Sequence, residues 1–283
     1  MATLIQGSNI GDVWKSLLDK IMTYGKNASP RDLPTLELTN VTLEVEFGLN
    51  NIITSIARDL NYRFMVTEWL WIQSASADVD SIAKYNSIMK NYSDDGFSFA
   101  GAYGPRLRPQ WEYIFENLKQ PFSRQAVASI WGPSPTESRD IPCTLNLQWL
   151  IRNDAVNCTI NMRSSDAWLG LPYDFFNFSQ LTNIVSNSFN LPVGSITINL
   201  ASSHLYEKHW ELADSLLRND TVYSIKSPQF KSLKIPVEED LRSIILKPQV
   251  DYNSLGFPWT EYAKSLRENK LNCLEVLREL SSK

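Results

Sequence analysis

The chain has 283 residues, 43% hydrophobic and 20% charged, an ordinary globular composition long enough for one large core or two modest ones. Its formal net charge of -4, with Lys and Arg scattered along the chain, gives no general attraction to polyanions; it argues against nucleic acid as a partner and still allows an anionic small molecule held by a few convergent arginines. Residues 1–10 lack a basic segment followed by an apolar stretch, and no window is apolar for long enough to span a bilayer, so the expectation is a cytoplasmic protein with no membrane partner.

Residues 8–25 read as an amphipathic helix: Ser8 or Asn9 can cap it, Val13, Leu17, Leu18, Ile21 and Met22 recur at helical spacing, and Gly25 can stop it. Over 36–47 the period changes to two, with a slip near Asn40 that predicts a turn or bulge between strands. Residues 57–73, 79–90 and 108–118 read as helices. Strands are expected at 125–131, 144–151 and 156–162 from alternation and from β-branched and aromatic content. A helix at 174–189, a strand at 195–200, a helix over about 205–217 and helical periodicity over 259–280 complete the pattern. No repeat, low-complexity tract or linker divides the chain. One α+β domain over 1–283, with a large sheet covered by helices, is the economical reading.

Chemistry-bearing residues are few. Cys143, Cys158 and Cys273 are odd in number and widely spaced, which argues against a disulfide framework and suits a reducing compartment. His204 and His209 are the only histidines, and Cys143 and Cys158 are too far apart for a paired-ligand loop, so no metal is expected. The pair Pro142-Cys143 invites comparison with zinc deaminases acting on cytosine, but the second cysteine they require three positions on is Asn146 here. Cys143 follows a proline at the mouth of a predicted strand, a position open to a nucleophile and equally to a buried core thiol. The stretch Arg163-Ser164-Ser165-Asp166-Ala167-Trp168-Leu169-Gly170-Leu171-Pro172-Tyr173-Asp174 joins a guanidinium and a hydroxyl, which suit a phosphate oxygen, to two carboxylates and leads into a helix. On its own it reads equally as a strand-to-helix turn with solvated charges.

In combination, this order and spacing resemble the thymidylate synthases and their relatives, the deoxypyrimidylate hydroxymethylases. The family's P-C-x-x-x-Q strand appears around Cys143, with Gln148 one position late; its R-S-x-D-x-x-L-G-x-P-[FY]-[ND] motif is complete over 163–174; its H-x-Y motif is His204-Leu205-Tyr206, with His209 matching a following histidine. Weaker echoes are Ser123-Arg124, Tyr103-Gly104 and Glu68-Trp69-Leu70-Trp71. The resemblance covers about 30–215 and leaves 219–283 divergent. It implies a large mixed twisted sheet covered by helices and a homodimer formed through that sheet.

By position, the resemblance makes Cys143 the thiolate that adds to carbon 6 of a pyrimidine nucleoside monophosphate, so that carbon 5 accepts the one-carbon unit of 5,10-methylenetetrahydrofolate. Arg31, Arg163 and Ser164 would bind the phosphate, joined by Arg124 from the partner subunit. The family's second arginine is Gln125 here, which leaves open whether the phosphate has one ligand fewer or takes it from Arg106, Arg108 or Arg139. His204 and Tyr206 would hold the sugar hydroxyl, lying on one face if that segment is extended. Glu68 would act as general acid and base through water, and Asp166 and Gly170 would hold the folate.

Asp174 stands where thymidylate synthases and deoxyuridylate hydroxymethylases carry asparagine. An ionised aspartate accepts from the cytosine amino group and favours protonation of ring nitrogen 3, whereas it repels the uracil carbonyl. The resemblance therefore points to deoxycytidylate hydroxymethylation of the phage type, with host cytoplasm as its compartment and water capturing the activated base. Residues 271–283 read as a charged amphipathic helix unlike the apolar tail that closes the synthase site. Alternatives are action on deoxyuridylate or a ribonucleotide, methyl rather than hydroxymethyl transfer, a catalytically silent binding protein of this fold, and a thiol hydrolase built on Cys143.

Overall fold

The computed structural model describes residues 2–132, 137–230 and 234–282. After a short strand β1 (Thr3–Gly7), the first helix α1 (Ile10–Tyr24) is capped by the Asn9 side chain, which accepts from the Asp12 N–H; Val13, Trp14, Leu17, Leu18 and Ile21 are buried along one stripe. A hairpin of β2 (Lys26–Ala28) and β3 (Thr35–Val45) follows. The slip near Asn40 is not a turn: β3 runs straight through it in unbroken register, and Asn40 alone takes a left-handed φ of 56°. An asparagine tolerates that conformation without ending a strand.

Strand β4 (Ile52–Thr54) precedes α2 (Tyr62–Gln73), capped by Asn61. The helix expected over 79–90 is a short α3 (Val79–Ala83) followed by a 3₁₀ turn at Ser87–Tyr92. Next come α4 (Tyr103–Leu107), α5 (Trp111–Leu118) and β5 (Val127–Ser129), then β6 (Thr144–Arg152) and β7 (Ala155–Met162) joined by a tight hairpin. A two-residue strand β8 (Ser165–Asp166) leads to α6 (Leu171–Phe189), whose Asn190 ends it in the left-handed conformation at φ 53°. Strand β9 runs over Val193–Tyr206, longer at both ends than expected, and the following helix α7 begins at Trp210 instead of 205. Pairing with β3 out to Thr35↔Tyr206 overrides the local helical pattern. After α7 (Trp210–Asn219), β10 (Tyr223–Ile225) pairs with β4, and the chain continues through α8 (Glu238–Leu246), α9 (Trp259–Arg267) and α10 (Lys270–Ser281). The last two interrupt what periodicity alone joins: Asn269 caps a new helix by accepting from the Asn272 N–H.

The main sheet runs β1-β3-β9-β7-β6-β5, with β2 beside β3 and β8 beside β9, and mixes parallel with antiparallel pairs. One face is apolar: Val41, Leu43, Val45, Val156, Cys158, Ile160, Met162, Ile196, Ile198 and Leu200 are buried in a core shared with residues of α1 and α6. Alternation puts a row of polar residues on the opposite face. There Thr42 Oγ1 donates to Asn199 Oδ1 (2.9 Å), Asn199 Nδ2 to Asn161 Oδ1 (3.0 Å), and Asn161 Nδ2 to Asn146 Oδ1 (2.8 Å). This polar ladder crosses β3, β9, β7 and β6 without a break.

Candidate active site

Two strand ends bring Cys143 and Arg163 together. Cys143 is the half-buried residue before β6, Arg163 is the residue after β7, and the pairing Thr144↔Met162 sets them side by side. The Arg163 N–H donates to the Cys143 carbonyl (2.9 Å), its Nε to that of Pro142 (2.8 Å) and its Nη2 to that of Ile141 (2.9 Å). The guanidinium also lies 5.9 Å from the centre of the Trp131 ring. Arg163 thus straps down the segment carrying the thiol and puts positive charge beside it. Burial raises the Cys143 thiol, Asp174 and Asp140 add to that, and Arg163 and Arg31 oppose it. Exchanging Arg163 for lysine keeps the charge but removes the forked geometry. Thermal unfolding is expected to show a destabilisation of about 1.5–3 kcal/mol for each carbonyl left without its donor; an unchanged melting curve would remove the strap.

The start of α6 supplies the second group of residues. Asp166 Oδ1 accepts from the Trp168 and Leu169 N–H groups, both at 2.8 Å, and this turn delivers Gly170 as the N-cap and Asp174 into the first helical turn. A Cβ on Gly170 would stand 3.4 Å from Asp174 Oδ2, in ordinary contact with that carboxyl. The Asp174 side chain joins no hydrogen bond among the described residues. Its burial, with Glu68 and Asp166 nearby, holds its carboxyl well above the usual carboxylate range. Sequence reasoning takes Asp174 as ionised. The direction of this shift works against the ionised form, through burial and the charges of Glu68 and Asp166.

Helix α2 presents Glu68 toward α6, where Asn177 Nδ2 donates to its Oε2 at 2.7 Å. Burial pushes Glu68 up to about 7 against the pull of that hydrogen bond. A carboxylate with a raised folded pKa is costly to ionise in the native state, so stability falls as pH rises from the unfolded value of 4.5 through about 7. Because Glu68 keeps a narrow opening to solvent, the loss is at most about 3 kcal/mol. Glu68→Gln is expected to flatten this slope and raise the melting temperature at pH 8 relative to pH 5; equal gains at both pH values would deny that Glu68 is the strained group. At the start of β6, the Tyr103 hydroxyl accepts from the Thr144 N–H at 3.3 Å. Asp174 and Cys143 both act electrostatically on that phenol, which burial raises well above its ordinary value. Motif spacing registers Tyr103 only as a weak echo, and nothing in the sequence marks Asn177.

His204 and Tyr206 lie on the extended end of β9, on one side of the strand, with ring centroids 5.1 Å apart and edge to face. The condition on which their shared face depends is met. Ser164 Oγ is 3.4 Å from His204 Nδ1, and Glu37 faces the histidine directly across the β3 pairing. Burial lowers the His204 pKa, while Asp166 and Glu37 raise it and Arg31 and Arg163 lower it further. Sequence alone does not single out Glu37, because only strand register reveals it. Arg31 is exposed in the turn between β2 and β3 with a left-handed φ of 56°; its charge reaches both Cys143 and His204. His209 stacks on Trp168 at 5.9 Å.

Arg124 does not join this group. It is exposed ahead of β5, its carbonyl accepts from Gln148 Nε2, and it is not among the strongest charges on Cys143 or His204. Of the three arginines considered beside Gln125, Arg106 donates to the carbonyls of Ile130 and Ala100, and Arg108 pairs with Glu238. Among the described residues no group of three or more His, Cys, Asp or Glu side chains could hold a metal ion, and no helix is long and apolar enough to cross a membrane.

A thiol flanked by guanidinium, a carboxyl raised well above the usual range, a second carboxyl pushed up to about 7 and a His–Tyr pair suit covalent catalysis with proton transfer on a small anionic substrate. Comparison with known proteins agrees. Residues 12–246 match the thymidylate synthase family. The chain is 26% identical over 280 residues to a deoxyuridylate hydroxymethyltransferase of Bacillus phage SP01, covering 90% of this chain and 72% of that one. It is 24% identical over 191 residues to a thymidylate synthase of Bacillus mojavensis, covering 62% and 68% respectively. The chain belongs to the thymidylate synthase family, enzymes that use methylenetetrahydrofolate as cosubstrate.

Proposed function

We propose that the protein transfers a one-carbon unit from 5,10-methylenetetrahydrofolate to carbon 5 of deoxycytidylate, giving 5-hydroxymethyl-deoxycytidylate through a covalent Cys143 adduct. The observation that carries the choice of base is Asp174. Ionised, its carboxyl accepts from the cytosine amino group, favours protonation of ring nitrogen 3 and repels the uracil carbonyl; protonated, it can donate to that nitrogen while its other oxygen accepts from the amino group. As the thiolate adds to carbon 6, the proton can pass toward that nitrogen, stabilising the reacting state more than the bound one. The phosphate falls to Arg31, Arg163 and Ser164, the sugar hydroxyl to His204 and Tyr206. Arg106 and Arg108 are engaged elsewhere and Arg139 lies beside Asp94, so none of the three stands out as the replacement for the guanidinium missing at Gln125.

The folate supplies a carbon at the oxidation level of formaldehyde. The residues at the start of α6 suit it: Asp166 spends Oδ1 on its own turn and keeps Oδ2 as an acceptor for a ring N–H, beside Gly170. Helices α9 and α10 pack on each other and on α2, with Leu277 and Leu280 buried. The exposure of Arg124 fits a homodimer through the polar sheet face, in which it reaches the partner's phosphate site, with 1–283 acting as one catalytic domain in the cytoplasm.

Deoxyuridylate is the second reading, favoured by the activity named for the phage relative. A protonated acid can also donate to the uracil carbonyl and accept from the ring N–H. Incubation with methylenetetrahydrofolate and equal deoxycytidylate and deoxyuridylate, followed by mass analysis of the nucleotides, decides. A gain equal to one added formaldehyde on deoxycytidylate is expected; product from deoxyuridylate alone overturns the choice of base.

A further inference from the structure

Asn177 lies one turn beyond Asp174 on α6, so both side chains point to the same side of the helix. It is 3% exposed. Its Nδ2 is spent on Glu68 Oε2 at 2.7 Å, and its Oδ1 is buried with no donor among the described residues. A buried amide oxygen left unpaired costs about 1–3 kcal/mol, and a purely architectural bridge between α2 and α6 does not need one. Its neighbours on the helix include Phe175, Phe176 and Phe178, all buried. The amide is thus a polar exception placed against a carboxyl that burial pushes up to about 7.

We propose that Asn177 is a positioning residue: its Nδ2–H aims the Glu68 carboxyl, and its Oδ1 anchors the water molecule on which that carboxyl acts. The inference rests on the reading of the site given above and adds the placement of the nucleophile. In the capture step the water oxygen bonds to the exocyclic carbon carried by the base, and its proton passes to Glu68. The π pair of the exocyclic double bond moves to join carbons 5 and 6, and Cys143 leaves carbon 6 with the bonding pair as thiolate. One proton and one pair are transferred, and the charge given up by Glu68 appears on sulfur. An amide suits both duties, since it donates to the carboxylate and accepts from the water without titrating between them.

Asn177→Ala and Asn177→Asp separate this role from architecture. With deoxycytidylate or deoxyuridylate as substrate and methylenetetrahydrofolate in excess, kcat is expected to fall on the order of 100-fold in the alanine variant. The limb of the pH profile that requires ionised Glu68 should move to higher pH, because the hydrogen bond that favours the charged form is gone. The aspartate variant is nearly isosteric and sets a second carboxylate against Glu68, so its limb should move further. Nucleotide binding by calorimetry should change little in either, which also reports that they are folded. A lowered melting temperature with both limbs left at the wild-type position overturns the positioning role while the activity stands. A wild-type protein that makes no product from either nucleotide overturns the reading beneath it.

Discussion

Replacing Cys143 by alanine is expected to reduce turnover by on the order of 10⁴-fold or more, because a covalent route without its nucleophile retains only binding and orientation. Fold should survive. The thiol is half-buried at the edge of β6, and the three hydrogen bonds from Arg163 go to backbone carbonyls. Unchanged melting and intact nucleotide binding alongside abolished product formation would identify a chemical role. Cys143→Ser should behave almost alike, since a hydroxyl beside one or two guanidiniums stays protonated. Turnover above a few per cent of wild type in either variant would mean that another group attacks the base. Cys158 and Cys273 are poor substitutes, because burial pushes both thiols up to about 12.

Asp174→Asn is expected to move base preference toward deoxyuridylate by roughly 10- to 100-fold in the ratio of kcat/KM values, corresponding to the roughly 1–3 kcal/mol of one mismatched buried contact. An asparagine amide donates to the uracil carbonyl and accepts from its ring N–H, whereas toward cytosine one of its two groups faces its like. The pH dependence follows from the raised acid. Below its folded pKa Asp174 has both a donor and an acceptor and can serve either base; above it, only acceptors remain and uracil is repelled. Wild-type discrimination against deoxyuridylate should therefore increase as pH rises, and the asparagine variant should show no such trend. Competition assays across pH test both statements, and an unchanged preference in Asp174→Asn would remove this residue from base selection.

Strand and helix positions with strong periodicity are legible in the sequence. The alternation over 156–162 and the capped stripe of α1 survive into the structure almost unchanged. Misreadings occur where tertiary pairing overrides local pattern. Residues 205 and 206 read as the start of a helix but are held extended by β3, and residues 79–90 have helical spacing yet break after Ala83. Short edge elements such as β1, β2, β4 and β10 carry too little pattern to register. For the site, motif spacing locates Cys143, Arg163, Asp166, Asp174, His204 and Tyr206 because each sits at a strand end or first helical turn, where chemistry restricts residue type. It cannot find Asn177 or Glu37, which matter through what lies opposite them. Nor can it show that the Asp174 carboxyl is raised, since that depends on burial and on Glu68, far away in the chain.

The polar ladder on the open face of the sheet bears on how the site keeps its dimensions. Its four rungs, Thr42, Asn199, Asn161 and Asn146, sit on the strands that hold the working groups in place. Strand β3 returns from the Arg31 turn, β9 ends in His204 and Tyr206, β7 runs into Arg163, and β6 starts beside Cys143. The donors all run in one direction along the row, so a slip of any strand by a single residue would turn its rung to the wrong face. The row therefore acts as a gauge bar, fixing the spacing between sulfur, phosphate cradle and sugar pocket while solvent and substrate come and go. Precision of this kind, set before a ligand arrives, spares the reaction the cost of assembling its own template.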